Sequence, residues 1–110
     1  MNDSIEIFKR QISHINEIFH SYENLTNDEL REKGIQIKIT VSNSSDKNET
    51  LNKALPEVYA LVKETARRFS LGQVVVMANE YDIWLASNYD FVEIKGNKAI
   101  YHNKLSLIHI

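Results

Sequence analysis

Four histidines, a scatter of serines and two short acidic clusters are the side chains here that could do chemistry, and their spacing decides whether they do. His14, His20, His102 and His109 lie far apart along the chain. The nearest two, His14 and His20, are six apart, outside the i, i+4 spacing that sets two metal ligands on one helix face. The three glycines, Gly34, Gly72 and Gly96, build no G-x-x-x-x-G-K-[ST] phosphate loop, and Gly96-Asn97-Lys98 fits a turn instead. Serines sit in a polar stretch and at helix starts, where hydroxyls serve the backbone, so no nucleophile–base pair is indicated. Asp46–Glu49 and Glu80–Asp82 lie in or beside helix caps, the ordinary use of acids there. No catalytic residue, metal site or cofactor site is expected within the chain.

The bulk properties agree. A chain of 110 residues fits one domain, and folding it hides roughly two thirds of the surface exposed when unfolded. At 43% hydrophobic and 25% charged residues it has the composition of a soluble globular protein. A net charge of −2 and a pI near 6.1 leave no basic footprint for nucleic acid. Cysteine is absent, which removes disulfides and thiolate chemistry. No apolar run approaches the roughly 20 residues of a membrane span. The start, MNDSIEIFKRQ, lacks the pattern of a signal peptide. The expected compartment is the cytoplasm, with a peripheral membrane role left open.

Stepping along the chain, Asp3 or Ser4 can cap a first helix. Ile5, Phe8, Ile12, Ile15, Phe19 and Tyr22 then alternate spacings of three and four. This seam either packs on the helices that follow or serves as an interaction face, with Phe8, Ile12, Ile15 and Phe19 at its centre. Ile7 and Ile18, off the seam, favour a second contact. Lys9 and Arg10 are too few for strong attraction to anionic lipid.

Thr26 and Glu29 form a capping box, so a second helix starts there. Ile35, Ile37, Ile39 and Val41 alternate like a strand, yet Leu30, Ile37 and Val41 also share one helical face. The box tips the reading to helix, together with the family resemblance given below. Ser42–Thr50 reads as an exposed connection. A third helix spans Leu55–Phe69, with Leu55, Val58, Val62, Thr65, Ala66 and Phe69 on its apolar face. Pro56 belongs in its first turn. Arg67 and Arg68 suit its negative end, or make interdomain contacts. Gly72 ends the helical block.

From Gln73 the pattern changes. Val74–Met77 reads as a short buried strand. Asn79 can cap a short helix with Tyr81, Trp84 and Leu85 on one side. Gly96-Asn97 is a two-residue hairpin signal with glycine first, as a type II′ turn requires. Pairing outward sets Lys95 opposite Lys98, Ile94 opposite Ala99 and Val92 opposite Tyr101. Glu80, Asp82, Asp90 and Glu93 are followed by Lys95, Lys98 and Lys104, either a solvated surface or a docking surface. Three helices and a hairpin resemble a winged-helix DNA reader, but the candidate recognition helix carries Glu80 and Asp82 and no base. The fold class is therefore α+β. A three-helix half (1–71) is followed by a strand–helix–hairpin half (73–103) and a tail (104–110), together one domain.

Two stretches carry a family likeness. NLTNDELREKG at Asn24–Gly34 and LPEVYALVKETARRF at Leu55–Phe69 resemble the front end of SecA, the ATPase that drives preproteins through the bacterial Sec channel. After Phe69 the chain departs from most members, where an adenine-binding stretch and the phosphate loop follow. The segment QVVVMANEYDIWLASNYDFVEIKGNKAIYHNK is similar instead to an extra segment of SecA of the Bacteroidetes type. The likeness covers about Leu25–Lys104, and KLSLIHI no longer follows the pattern. It implies a part of the motor for Sec-dependent export that stops before the nucleotide-binding motifs, with ATP and magnesium belonging to the full-length relative only. Implied partners are the rest of SecA, the Sec channel and a second copy. The alternative is a stand-alone protein-interaction module reusing this fold.

Overall fold

The computed structural model describes residues 2–103. The elements run α1 (Asn2–Tyr22), α2 (Asn27–Ser42), α3 (Lys47–Ser70), β1 (Val74–Met77), α4 (Glu80–Asn88), β2 (Val92–Lys95) and β3 (Lys98–Tyr101). Four helices and a small antiparallel sheet, helices first, make the α+β class expected from the sequence. The chain divides into two compact units, Met1–Thr65 and Ala66–Ile110, with the boundary inside α3. The tail at 104–110, with Lys104 and His109, lies outside the described residues.

In the first unit, Phe19, Tyr22, Leu30 and Ala60 are buried together, with Ile15, Ile18, Leu25 and Leu61 packed against them. The chain can turn tightly before α2 because Thr26 accepts from the Glu29 N–H at 3.1 Å while Glu29 accepts from the Thr26 N–H at 2.9 Å. Helix wins over strand along Ile35–Val41. Ile37 and Val41 are half-buried, while Ile35 and Ile39 face solvent. Gly34 lies where a Cβ would come within 3.2 Å of Leu61 Cδ2, so α2 and α3 approach closely there.

Several expectations are corrected. Helix α1 begins at Asn2, which places Asp3 and Ser4 inside its first turns. The third helix begins at Lys47, not Leu55, so the connection shrinks to the few residues before it. Asp46 Oδ1 accepts from the Glu49 N–H at 3.1 Å, and the Ser44 and Thr50 hydroxyls bond to each other. This local hydrogen bonding is what starts the helix early. Pro56 consequently lies inside α3 rather than in its first turn, where it has no N–H to donate to the Asn52 carbonyl one turn earlier. The buried stripe of α3 is also rotated from the expected face. Val62 is 60% exposed, whereas Ala60 and Glu64 are fully buried one turn apart. Core contact through a small residue at 60, next to the close approach at Gly34, decides the rotation.

In the second unit, the strand order is β1-β3-β2, all antiparallel. The hairpin register is Lys95–Lys98, Ile94–Ala99 and Val92–Tyr101, as the sequence predicts. Gly96 has φ +60°, and among the described residues no non-glycine has positive φ, so Asn97 does not. This fits a type II′ turn and excludes type I′, which needs positive φ at both central residues. Val76, Val92 and Ala99 line one sheet face, and Leu85 of α4 covers it. On the opposite face Met77 is 48% exposed, while Val75 and Ile100 are half-buried. Thus β1 is an edge strand with one buried residue, Val76, rather than a strand buried on both faces. Helix α4 is also turned differently from expectation: Leu85 and Asp82 point inward, and Tyr81 and Trp84 outward.

Candidate functional site

The interaction seam on α1 splits in two. Phe19 is in the core of the first unit and Ile15 is half-buried against it. The Lys63 ammonium lies 4.3 Å from the Phe19 ring centroid, and Lys63 also donates to Asn16 at 3.3 Å. Only the earlier part of the seam is accessible: Ile5, Phe8 and Ile12 are exposed, with Phe8 at 61%. Ile7, off the seam, is exposed as well. The four residues Phe8, Ile12, Ile15 and Phe19 therefore do not form one surface. Phe19 holds the helix down and Phe8 is presented to solvent.

Arg67 is exposed and Arg68 half-buried near the end of α3, and neither is without a partner. Between α2 and α3 runs an open groove of about 450 Å³, with Lys33, Thr40, Val41, Lys53 and Glu57 among its lining. Lys53 is drawn to Glu49 at 3.3 Å, one turn earlier. The Tyr22 hydroxyl is raised above its ordinary pKa by burial, with the Glu57 charge adding to this. Glu29 is held below its ordinary value by the hydrogen bond from the Thr26 backbone, and secondly by the Thr26 side chain.

Glu93 is shared by two basic side chains, with the Lys95 ammonium 3.6 Å from its Oε1 and His102 beside its Oε2. His20 Nδ1 lies 3.3 Å from Glu23 and His102 Nε2 lies 3.2 Å from Glu93. Among the described residues there is no group of three or more His, Asp or Glu placed to hold a metal ion. No described helix is long and apolar enough to cross a membrane.

Two buried carboxylates escape the sequence reading. Glu64 is fully buried in the first unit, and among the described residues no buried side-chain oxygen or nitrogen lacks a hydrogen-bond partner. Asp82 is almost fully buried in the second. Its Oδ2 accepts from the Asn79 N–H at 3.0 Å, while Asn79 Oδ1 accepts from the Asp82 N–H at 2.8 Å. Asp82 Oδ1 accepts from the Tyr101 hydroxyl on β3. A signal for Asp82 was present: N-x-x-D at 79–82 has the same spacing as T-x-x-E at 26–29. For Glu64 there was none, since a lone glutamate in a helix ordinarily faces water. Tyr101 further meets Phe69 edge-on at 6.5 Å, and Asn103 Nδ2 donates to the Phe69 carbonyl at 2.9 Å. Together these contacts tie the last turn of α3 to the sheet, a positioning arrangement rather than a reactive one.

Comparison with known proteins gives a consistent result. The family model described as "SecA DEAD-like domain" matches residues 1–95. A protein translocase subunit SecA from Azobacteroides pseudotrichonymphae is 36% identical, over 78% of this chain and 11% of its own length. That of Parabacteroides distasonis is 52% identical over 54% of this chain and 5% of its own. That of Phocaeicola vulgatus is 30% identical over 86% of this chain and 12% of its own. The chain thus spans between 5% and 12% of the length of these relatives. No solved structure matches it.

Proposed function

This chain belongs to the SecA DEAD-like domain family, and on that basis we propose that it is an N-terminal part of a preprotein translocase subunit that contributes scaffolding rather than turnover. The carrying observation is the family match over residues 1–95, in a chain whose three glycines form no phosphate loop. In this reading ATP and magnesium are handled by the rest of the motor, and no residue here binds them. The rest of the translocase subunit is its first partner, and the Sec channel or a second copy its further ones. It works in the cytoplasm, at most peripherally at the inner membrane.

The test is an ATP and magnesium titration followed by thermal melting. A ligand that binds only the native state raises its stability, so an unchanged melting temperature is expected. A rise at modest ATP overturns the scaffold reading.

A second reading, a stand-alone interaction module, draws on the exposed Ile5, Phe8 and Ile12 of α1. The reading frame beyond Ile110 separates the two. Codons that continue into a glycine–lysine phosphate loop favour the motor part, and a stop followed by an unrelated gene favours the module.

A further inference from the structure

Four aromatic side chains of the second unit form a continuous exposed row. Tyr81 and Trp84 on α4 stack with ring centroids 6.1 Å apart and planes 14° from parallel. Trp84 meets Tyr89 edge-on at 6.2 Å, and Tyr89 tilts against Phe91 at 5.4 Å. All four are exposed, Tyr81 at 65% and Trp84 at 54%. The inward face of α4 is taken by Asp82, Leu85 and Ala86, which leaves Tyr81 and Trp84 no place in the core.

The row has a firm base. Phe91 lies 6.4 Å from Tyr101, whose hydroxyl is held by Asp82, and the Phe91 carbonyl accepts from the His102 N–H at 2.9 Å. Contiguous exposed rings of this kind mark interaction surfaces, because Tyr and Trp offer large contact area at small cost in side-chain entropy.

Charge identifies the occupant. Gln73–Ile94 carries Glu80, Asp82, Asp90 and Glu93 and no Lys or Arg. Glu80 adjoins Tyr81, and Asp90 lies between Tyr89 and Phe91. Both carboxylates are exposed and have no ion-pair partner among the described residues. No described cation lies over any of the four rings. Exposed rings with carboxylates at neighbouring chain positions fit a guanidinium, which stacks on a ring face and donates its N–H groups to carboxylates.

We propose that Tyr81, Trp84, Tyr89 and Phe91, with Glu80 and Asp90, are a docking surface for an extended, arginine-bearing apolar peptide segment of a partner protein. A second copy seated on the row sets carboxylate against carboxylate. Nucleic acid and anionic membrane meet the same repulsion.

Trp84 is the single tryptophan, so its emission reports occupancy of the row directly. The probe is a synthetic peptide of Arg-Pro-Leu repeats, with a Glu-Pro-Leu peptide as its counterpart. A saturable change in Trp84 emission with the arginine peptide is expected, with Kd below about 1 mM. The glutamate peptide is expected to produce none, and added salt to weaken binding. The charge-reversed variant Asp90→Lys, which leaves the first turn of α4 intact, is expected to weaken binding by about tenfold or more at an unchanged melting temperature. Tyr89→Ala is expected to do the same, and if it also lowers the melting temperature the charge-reversed variant alone decides. An unchanged emission with the arginine peptide overturns the proposal. So does equal binding of the two peptides, self-association abolished by Tyr89→Ala, or binding of anionic vesicles in place of the peptide.

Discussion

The Tyr101 hydroxyl donates to Asp82 Oδ1, and the other oxygen of that same buried carboxylate caps helix α4. One side chain therefore fixes where α4 starts and which point of β3 it sits beside. A carboxylate almost fully out of water is tolerable only while its oxygens are hydrogen-bonded. Two of its donors come from residues 79 and 101, at the start of α4 and on β3.

Tyr101→Phe removes one hydrogen-bond donor to the buried carboxylate of Asp82. Denaturant unfolding is expected to show a loss of about 1–3 kcal/mol. Tyr89→Phe, which removes an exposed hydroxyl, is expected to change stability by less than about 0.5 kcal/mol. Equal effects of the two would show that the buried contact adds nothing.

Glu29 sets a pH dependence. Its pKa in the folded state lies below the ordinary value, because the ionised form accepts the Thr26 N–H. The native state then binds fewer protons than the unfolded state between the two pKa values. The stabilisation is complete above the unfolded pKa and is lost as pH falls through the folded one. Glu29→Gln is expected to flatten the acid limb of a melting-temperature curve. Identical curves for variant and parent would refute the linkage.

The two ends of the α1 seam are expected to respond oppositely. Phe8→Glu with Ile12→Glu changes exposed positions, so melting stays within about 0.5 kcal/mol of the parent. Any self-association seen by sedimentation is expected to disappear. Phe19→Ala empties a core position and costs about 3–5 kcal/mol. Sedimentation of the double variant matching that of a self-associating parent would remove the seam from the contact.

Pro56 tests whether α3 runs unbroken from Lys47. Inside a helix a proline costs about 3 kcal/mol, through the lost hydrogen bond and the ring's clash with the preceding turn. Pro56→Ala is expected to raise stability by about 1–3 kcal/mol and to increase helical ellipticity. A neutral or destabilising result would mean that the helix starts near Leu55, where a proline is harmless.

Much of this fold could be read from local pattern. The Thr26–Glu29 box, the Asn79 cap, the glycine-first hairpin turn and the pairing outward from it depend on neighbours in the chain. Their hydrogen bonds and φ angles are set by residue type at short spacing. The family likeness was equally local, carried by Asn24–Gly34 and Leu55–Phe69. What the residues could not disclose is which face of each amphipathic helix meets something. Phe8 and Phe19 occupy equivalent positions on one seam, and Tyr81 and Leu85 are one turn apart. Yet Phe19 and Leu85 are buried while Phe8 and Tyr81 are in water. Burial depends on what the rest of the chain brings alongside, as Ala60 does at the core of the first unit and Val76, Val92 and Ala99 do in the second. Periodicity states that a helix has an apolar side. Tertiary packing alone decides how far along that side the cover extends, and so placed Asp82 inside and the aromatic row outside.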